Sequence, residues 1–400
     1  MKAVPGIARF ELAGGRLLAY QLAVSPRRGI RSINTRAHHC MSFTHPMNVS
    51  TRRDFLRTGT ALLGLGGLAA AAEPPATGPY ADAKFVAGPP PLPGSGAFTI
   101  VALPDTQNYQ GKFAAGFAAQ TRWIVEQKVA RNIACVLHLG DITNNNLPAQ
   151  WDNAARAMKL LDGHVPYFMA PGNHDYGKGG STADRTSLFG EYFPAAVLAK
   201  APTFGGFYDK EPERVENSFH LFSAGDRKFI VLCLEFGPRK DVVRWANDVV
   251  GRHQDREAIL VTHAYLYSDD TRYDLAKFGA KQNWNPHTYG MAKASGGDAC
   301  DGEELWNLLV SKHRNFIFTI NGHVLNDGLG RLTSTAADNR AVPQLLVNFQ
   351  MKPNGGDGWL RLLECRPGGE LQVYDYSPTR NQTNASAQNQ FGVALAGLKA

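Results

Sequence analysis

The sequence predicts an α/β protein in which mixed β-sheets pack together with helices outside. Three observations point there. Short apolar runs alternate with longer stretches of helical period between residues 98 and 170, antiparallel pairing begins near residue 217, and the end of the chain is strand-rich. The elements follow in order. "FTIVALPD" is a short apolar run that reads as a buried strand, and "AAGFAAQTRWIVEQKVARN" carries Phe117, Ile124, Val125 and Val129 at roughly helical spacing. "IACVLHLGD" is a second strand. "PAQWDNAARAMKLLDG" is a second helix opened by Pro148, whose fixed φ suits a first helical turn. "VPYFMAPGN" is a third strand. "NSFHLF", the polar turn "SAGD" and "RKFIVLCLEF" form an expected antiparallel hairpin. A helix around 239–252, the strand "EAILVTH", a helix around 302–312 and the strand "NFIFTING" come next, and "QLLVNFQ", "GWLRLLEC" and "ELQVYDYS" close the chain as strands. The stretch from about 265 to 300 reads as a long loop, of the kind that often carries function.

Four segments are expected. Residues 1–46 show no sustained period and read as a non-native upstream extension or leader, with Met41 or Met47 as the better initiator. Residues 47–72 contain Arg52 and Arg53, then Phe55 and Leu56, then a mild apolar run from Thr58 to Ala72 that ends in small residues. This pattern resembles a twin-arginine export signal, with Arg57 in place of the usual lysine. Its apolar run falls short of the roughly 20 residues needed to span a bilayer, so no stable membrane anchor is expected after removal. Residues 73–97, rich in Pro, Gly and Ala, read as a linker, and residues 98–400 as the folded domain. A periplasmic or secreted protein is the expectation.

Charge supports this division. The net charge of +7 sits in the leader: residues 1–57 hold ten Lys/Arg against two Asp/Glu, which leaves 32 basic against 33 acidic residues for the rest. The body of the chain therefore gives no electrostatic reason to expect nucleic acid or a membrane surface as partner. Cys135 and Cys233 sit inside apolar strands, where a buried free thiol is usual, and the state of Cys300 and Cys365 is left open. Without a CxxC pair, a thiolate zinc site is not expected.

The polar residues collect at strand ends. Five apolar runs are followed at once by "PDTQNY", "GDITNN", "GNHD", "THAY" and "NGHVLND", each supplying Asp, Asn, Gln or His. Ligands of open α/β sheets bind outside the carboxyl ends of strands, so these residues are expected to converge. Singly, each fragment reads as a turn or a satisfied histidine. Independent turns would not all supply hard oxygen or imidazole donors in order.

This ordered set resembles the calcineurin-like metallophosphoesterases, whose pattern is D-x-H/Q, GD, GNH-D/E, a lone His and G-H-x-H. The resemblance covers roughly residues 98–380 and implies a four-layered sandwich of two mixed β-sheets flanked by helices. It also implies a hydrolase for phosphomonoesters or phosphodiesters, working with two divalent metal ions, Mn, Fe or Zn. On the positions that match, Asp105 and Gln107 would hold one ion, Asn173, His263 and His323 the other, and Asp141 would bridge. His174 would be the general acid, with Asp175 orienting its imidazole. Gln107 is an accepted variant of histidine, but Leu325 stands where the last His of the pattern ligates the first ion. Asn326 and Asp327 are the neighbours able to replace it. "GDITNN" also lacks the tyrosine that follows GD in purple acid phosphatases. The alternative is a non-catalytic module that binds a phosphorylated or glycan ligand on the same fold.

Among other residues, His138 reads as a strand histidine with one local hydrogen bond, His220, alternating with Phe219 and Leu221, as part of a strand's polar face, and His287 as a loop residue near substrate or solvent. Arg239 and Arg331 are possible phosphate clamps that read more simply as solvated charges.

Overall fold

The computed structural model describes residues 78–396, so the readings of the upstream extension and the twin-arginine segment lie outside the described residues. The strands form two mixed sheets. The chain enters through β1 (Phe85–Ala87), β2 (Phe98–Leu103), β3 (Ile133–His138) and β4 (Tyr167–Met169). It then builds the second sheet from β5 (Phe204–Phe207), β6 (Ser218–Ala224), β7 (Arg227–Leu234), β8 (Glu257–Thr262), β9 (Phe316–Asn321), β10 (Leu329–Thr335) and β11 (Ala341–Val347). Finally it returns to the first through β12 (Leu360–Arg366), β13 (Glu370–Ser377), β14 (Gln382–Asn384) and β15 (Gln390–Ala394).

The first sheet runs β1-β14-β13-β12-β2-β3-β4, with β15 also on β13; the second runs β10-β11-β9-β8-β7-β6-β5. In each, parallel pairs sit beside antiparallel ones: β2 pairs β3 in parallel and β12 in antiparallel register, and β7 pairs β8 in parallel and β6 in antiparallel register.

Side-chain alternation sorts the strands into layers. Ile100 and Ala102 of β2 point into the shared core between the sheets, with Cys135, Phe229, Val231, Ile259, Ile320 and Leu363. Val101 and Leu103, one residue out of phase, face the other way against helices Ala115–Gln127 and Pro148–Met158, through Phe117, Ile124, Trp151 and Met158. Ile230, Leu232 and Leu234 of β7 likewise meet Val242, Trp245 and Val249 of helix Lys240–Arg252 on the outside of the second sheet. The result is helix, sheet, sheet, helix, as expected. At about 25 cal/mol per Å2 of apolar surface buried, all three layers contribute to stability.

Two readings are refined. The Pro/Gly-rich stretch is not a free linker from residue 78 on: β1 pairs with β14, Arg131 donates to the carbonyls of Pro90 and Pro91 (2.7 and 3.1 Å), and Tyr80 Oη donates to Asp357 (2.6 Å). Cys300 and Cys365 are both free and buried, in different cores. Among the described residues no helix is long and apolar enough to cross a membrane.

Candidate metal centre

Strand ends from both sheets meet at one place. Asp105 and Gln107 follow β2, Asp141 follows β3, Asn173 and His174 follow β4, His263 follows β8, and His323 follows β9. Backbone bonds lock these loops together: Thr106 N donates to Asp141 O (3.1 Å), and His323 N donates to both carboxylate oxygens of Asp105 (3.1 Å each). Two glycines permit the approach. A Cβ on Gly172 would overlap Asp141, and one on Gly322 would overlap the Asp105 carboxylate. Asp141 (φ 48°) and His323 (φ 78°) adopt left-handed backbone, which non-glycine residues occupy at a cost of order 1 kcal/mol.

Each donor has its orientation fixed from behind. His263 donates from Nδ1 to Leu139 O (2.7 Å), which leaves the Nε2 lone pair 3.2 Å from Asp141 Oδ1. His323 donates from Nε2 to Trp284 O (2.8 Å), which leaves Nδ1 as its lone pair. Asp141 Oδ1 accepts from His174 N (2.9 Å). His138 braces two loops at once: its Nε2 donates to Thr106 Oγ1 (3.0 Å) and its Nδ1 accepts from Gly140 N (3.2 Å). Burial pushes its pKa down to about 3, so the ring is neutral.

These residues fit a cation centre by an observation independent of any pattern. Among the described residues, Gln107 Oε1, Asn173 Oδ1 and His263 Nε2 are buried with no hydrogen-bond partner. Buried polar atoms are nearly always paired, and an orphan costs about 1–3 kcal/mol. All three are lone-pair donors, the chemistry that binds a divalent ion. Asp141, His263 and His323 each offer a ligand atom within 4.8 Å of the others. Electrostatics agree. Burial pushes Asp105 up to about 7 against the pull of His263. Burial also opposes the charges on Asp141 and His263, but their mutual attraction prevails: Asp141 is held well below the usual carboxylate range and His263 is raised to about 9. The two carboxylates thus draw positive charge to this point, here a proton on His263 Nε2 facing Asp141, and a cation would take that proton's place and meet the Nε2 lone pair.

A family description, calcineurin-like phosphoesterase, matches residues 98–327. The chain belongs to the calcineurin-like phosphoesterase family. It is 29% identical over 314 residues to the uncharacterized protein YvnB of Bacillus subtilis (strain 168), covering 75% of this chain and 21% of that protein. The chain therefore spans about a fifth of that relative's length. Among solved structures it is similar to the purple acid phosphatase PPD1 of yellow lupin seeds (15% identity, TM-score 0.44, 76% of this chain and 55% of that one). It is also similar to GAP50, the anchor in the inner membrane complex of Plasmodium (11% identity, TM-score 0.42, 76% and 90%).

Within this calcineurin-like phosphoesterase site, one expected role is corrected. Asp175 does not orient His174. Its carboxylate accepts from Gly172 N (2.9 Å), Ile142 N (3.0 Å), Thr143 N (2.8 Å) and Thr143 Oγ1 (2.9 Å), so it clamps the loop after β4 to the loop after β3. The imidazole of His174 is held instead by the backbone carbonyl of Asn144, which accepts from Nδ1 (2.7 Å). The reason is local. A tight 3-10 turn over Asn173–Asp175 sends consecutive side chains in different directions.

Other candidates resolve as structural. Asn326 Nδ2 donates to Ser268 Oγ (2.7 Å) and Asp327 Oδ1 accepts from Leu329 N (3.1 Å), so neither is turned to the first ion position. His287 pairs with Glu304 (2.6 Å), and Arg239 with Glu211 and Glu235 (2.7 and 2.9 Å). Arg331 lies over the Phe391 ring (4.4 Å).

Sequence reasoning missed three contributors. Asn144 holds both His174 and the Gln107 amide, whose Nε2 donates to Asn144 Oδ1 (3.4 Å). Asn348 Nδ2 donates to Asp105 Oδ2 (3.0 Å). Gln350 lines the same cavity of about 160 Å3 as Gln107, Asp141, Asn173 and His323. The signal for the last two was present, because "NFQ" follows the apolar end of β11 as "PDTQ" follows β2. Reading it as continued strand concealed it.

Proposed function

We propose that this chain is an exported, metal-dependent phosphoester hydrolase working through a dinuclear centre. The observation that carries the reading is the gathering of the unpartnered amide oxygens of Gln107 and Asn173 with Asp141, His263 and His323, residues whose ligand atoms suit a divalent ion. Asp105, Gln107 and Asp141 would hold one divalent ion, and Asp141, Asn173, His263 and His323 the other, with manganese, iron or zinc the best match for this mixed oxygen and imidazole set. Such ions neutralise phosphate oxygens and supply activated water.

The chain's own residues do the rest. Asn144 O accepts from Nδ1 of His174, so Nε2 is the atom at which a proton is exchanged. Half-buried at the cavity wall, the protonated ring can donate to the leaving oxygen as its ester bond breaks. Trp284, Tyr289, Leu325 and Met351 form an apolar rim, and among the described residues no Lys or Arg lines the cavity. An ester with an apolar or aromatic group beside its phosphate suits that rim, and the ester's charge is left to the ions and His174.

Export through the twin-arginine segment belongs to the same proposal, as does the absence of nucleic-acid binding, supported by the near-neutral body of the chain. The departure at Leu325 favours a second reading, a phosphate- or glycan-binding module without turnover. A chelator-treated sample assayed with 4-nitrophenyl phosphate and bis(4-nitrophenyl) phosphate, before and after adding Mn2+, separates the two. The hydrolase reading expects release of nitrophenol only with the ion present; the binding reading expects none in either case.

A further inference from the structure

Leu325 leaves the position beside Asp105 and Gln107 short of a donor, and the two residues after it are turned elsewhere. Another side chain faces the same cavity with an unused oxygen. Gln350 is 7% exposed, and its Oε1 is buried with no partner among the described residues. Gln350 and Leu325 both line the cavity that Gln107, Asp141 and His323 line.

The backbone around Gln350 is tied to the first ligand loop from two sides. Asn108, the neighbour of Gln107, donates from Nδ2 to Gln350 O (3.1 Å). Gln350 N donates to Asn348 Oδ1 (2.9 Å), and the same Asn348 donates from Nδ2 to Asp105 Oδ2 (3.0 Å). These bonds fix the backbone at Gln350, and a buried amide oxygen left unpaired there is costly unless something binds it. Two other unpartnered buried atoms of the site, on Gln107 and Asn173, are also amide oxygens. An oxygen that shares their burial and their lack of a donor has the same chemical use.

We infer that Gln350 completes the cation site of Asp105 and Gln107, supplying through Oε1 the ligand that Leu325 cannot. Two amide oxygens and two carboxylates make this an all-oxygen site. It is a site for a hard divalent cation such as Mn2+ or Mg2+ rather than for zinc. The inference rests on the dinuclear reading above.

The test is Mn2+ binding to the metal-free full chain, followed by equilibrium dialysis and by the electron paramagnetic resonance of free Mn2+. Wild type should bind two ions. Gln350→Leu should keep one at unchanged affinity and bind the second at least about tenfold more weakly. Gln350→Glu, which keeps the oxygen and adds charge, should bind the second ion more tightly than wild type. Two ions bound alike by wild type and Gln350→Leu overturn the assignment alone, and a raised KM in that variant would place Gln350 against substrate instead. A wild-type chain that binds one ion or none overturns the dinuclear reading and this assignment with it. Should Gln350→Leu fail to fold, Gln350→Glu decides: affinity for the second ion equal to or weaker than wild type overturns the proposal.

Discussion

The imidazole of His174 hangs from the backbone carbonyl of Asn144, with Nδ1 donating at 2.7 Å. A backbone acceptor has no protonation state of its own, so it fixes the ring's direction and tautomer without titrating. The proton-donor role proposed for His174 is thereby separated from the carboxylate next to it in sequence, and the two residues should respond differently to substitution.

For His174, replacement by Ala should lower turnover by roughly 10² to 10⁴ while bound metal stays unchanged. The loss should shrink on esters of nitrophenol, whose leaving oxygen needs little protonation. Steady-state assays on a nitrophenyl and an alkyl ester check this. An equal loss on both would remove His174 from the acid role.

For Asp175, replacement by Asn should act on stability. Four donors point at its carboxylate, and an amide would turn its NH2 toward some of them. The expected cost is about 1–3 kcal/mol in chemical denaturation, with the leaving-group dependence of turnover kept. A variant as stable as wild type but insensitive to leaving group would reverse this assignment.

His220 gives a pH dependence. Its ring stacks on Phe168 (centroids 4.3 Å apart), and burial pushes its pKa down to about 3. The unfolded chain takes up a proton here near pH 6.5, whereas the folded chain resists until about pH 3. Its contribution to stability is therefore complete above about pH 6.5 and declines as the pH falls toward 3. At pH 5 the loss is about 2 kcal/mol from this residue. Urea unfolding at pH 7 and pH 5 should show a smaller drop for His220→Phe than for wild type; equal drops would show that His220 does not resist protonation.

Export is tested at the paired arginines. Changing both Arg52 and Arg53 to Lys should keep the chain in the cytoplasm, and wild type recovered from outside it should begin after about residue 72. Normal export of the double variant would end the twin-arginine reading.

The legible parts of the fold were those where burial is two-sided. Runs such as "FTIVAL" and "EAILVT" are buried along their whole length and could be read directly. β5 ("FGGF"), β10 ("LGRLTST") and β15 ("QFGVA") were not, because they are only partly buried and mix Gly, Ser and Thr with apolar residues. β1 was hidden by the prolines around it, since its pairing partner lies some 300 residues away. In the site, ligand types at five strand ends were legible because each polar residue breaks an apolar run abruptly. Asp175 was misassigned because adjacency in sequence was taken for contact in space. Asn348 and Gln350 were missed because Phe349 between them preserves the look of a strand.

In the proposed function Asp105, Gln107, Asp141, Asn173, His263 and His323 would hold two cations that support ester hydrolysis. The most direct measurement is turnover of bis(4-nitrophenyl) phosphate and 4-nitrophenyl phosphate as Mn2+ is titrated into metal-free protein, with bound ions counted in the same samples. Activity toward at least one ester should stay near zero through the first bound ion and rise with the second. Full turnover from chains that carry one ion or none, or two bound ions with no hydrolysis of either ester, would contradict it.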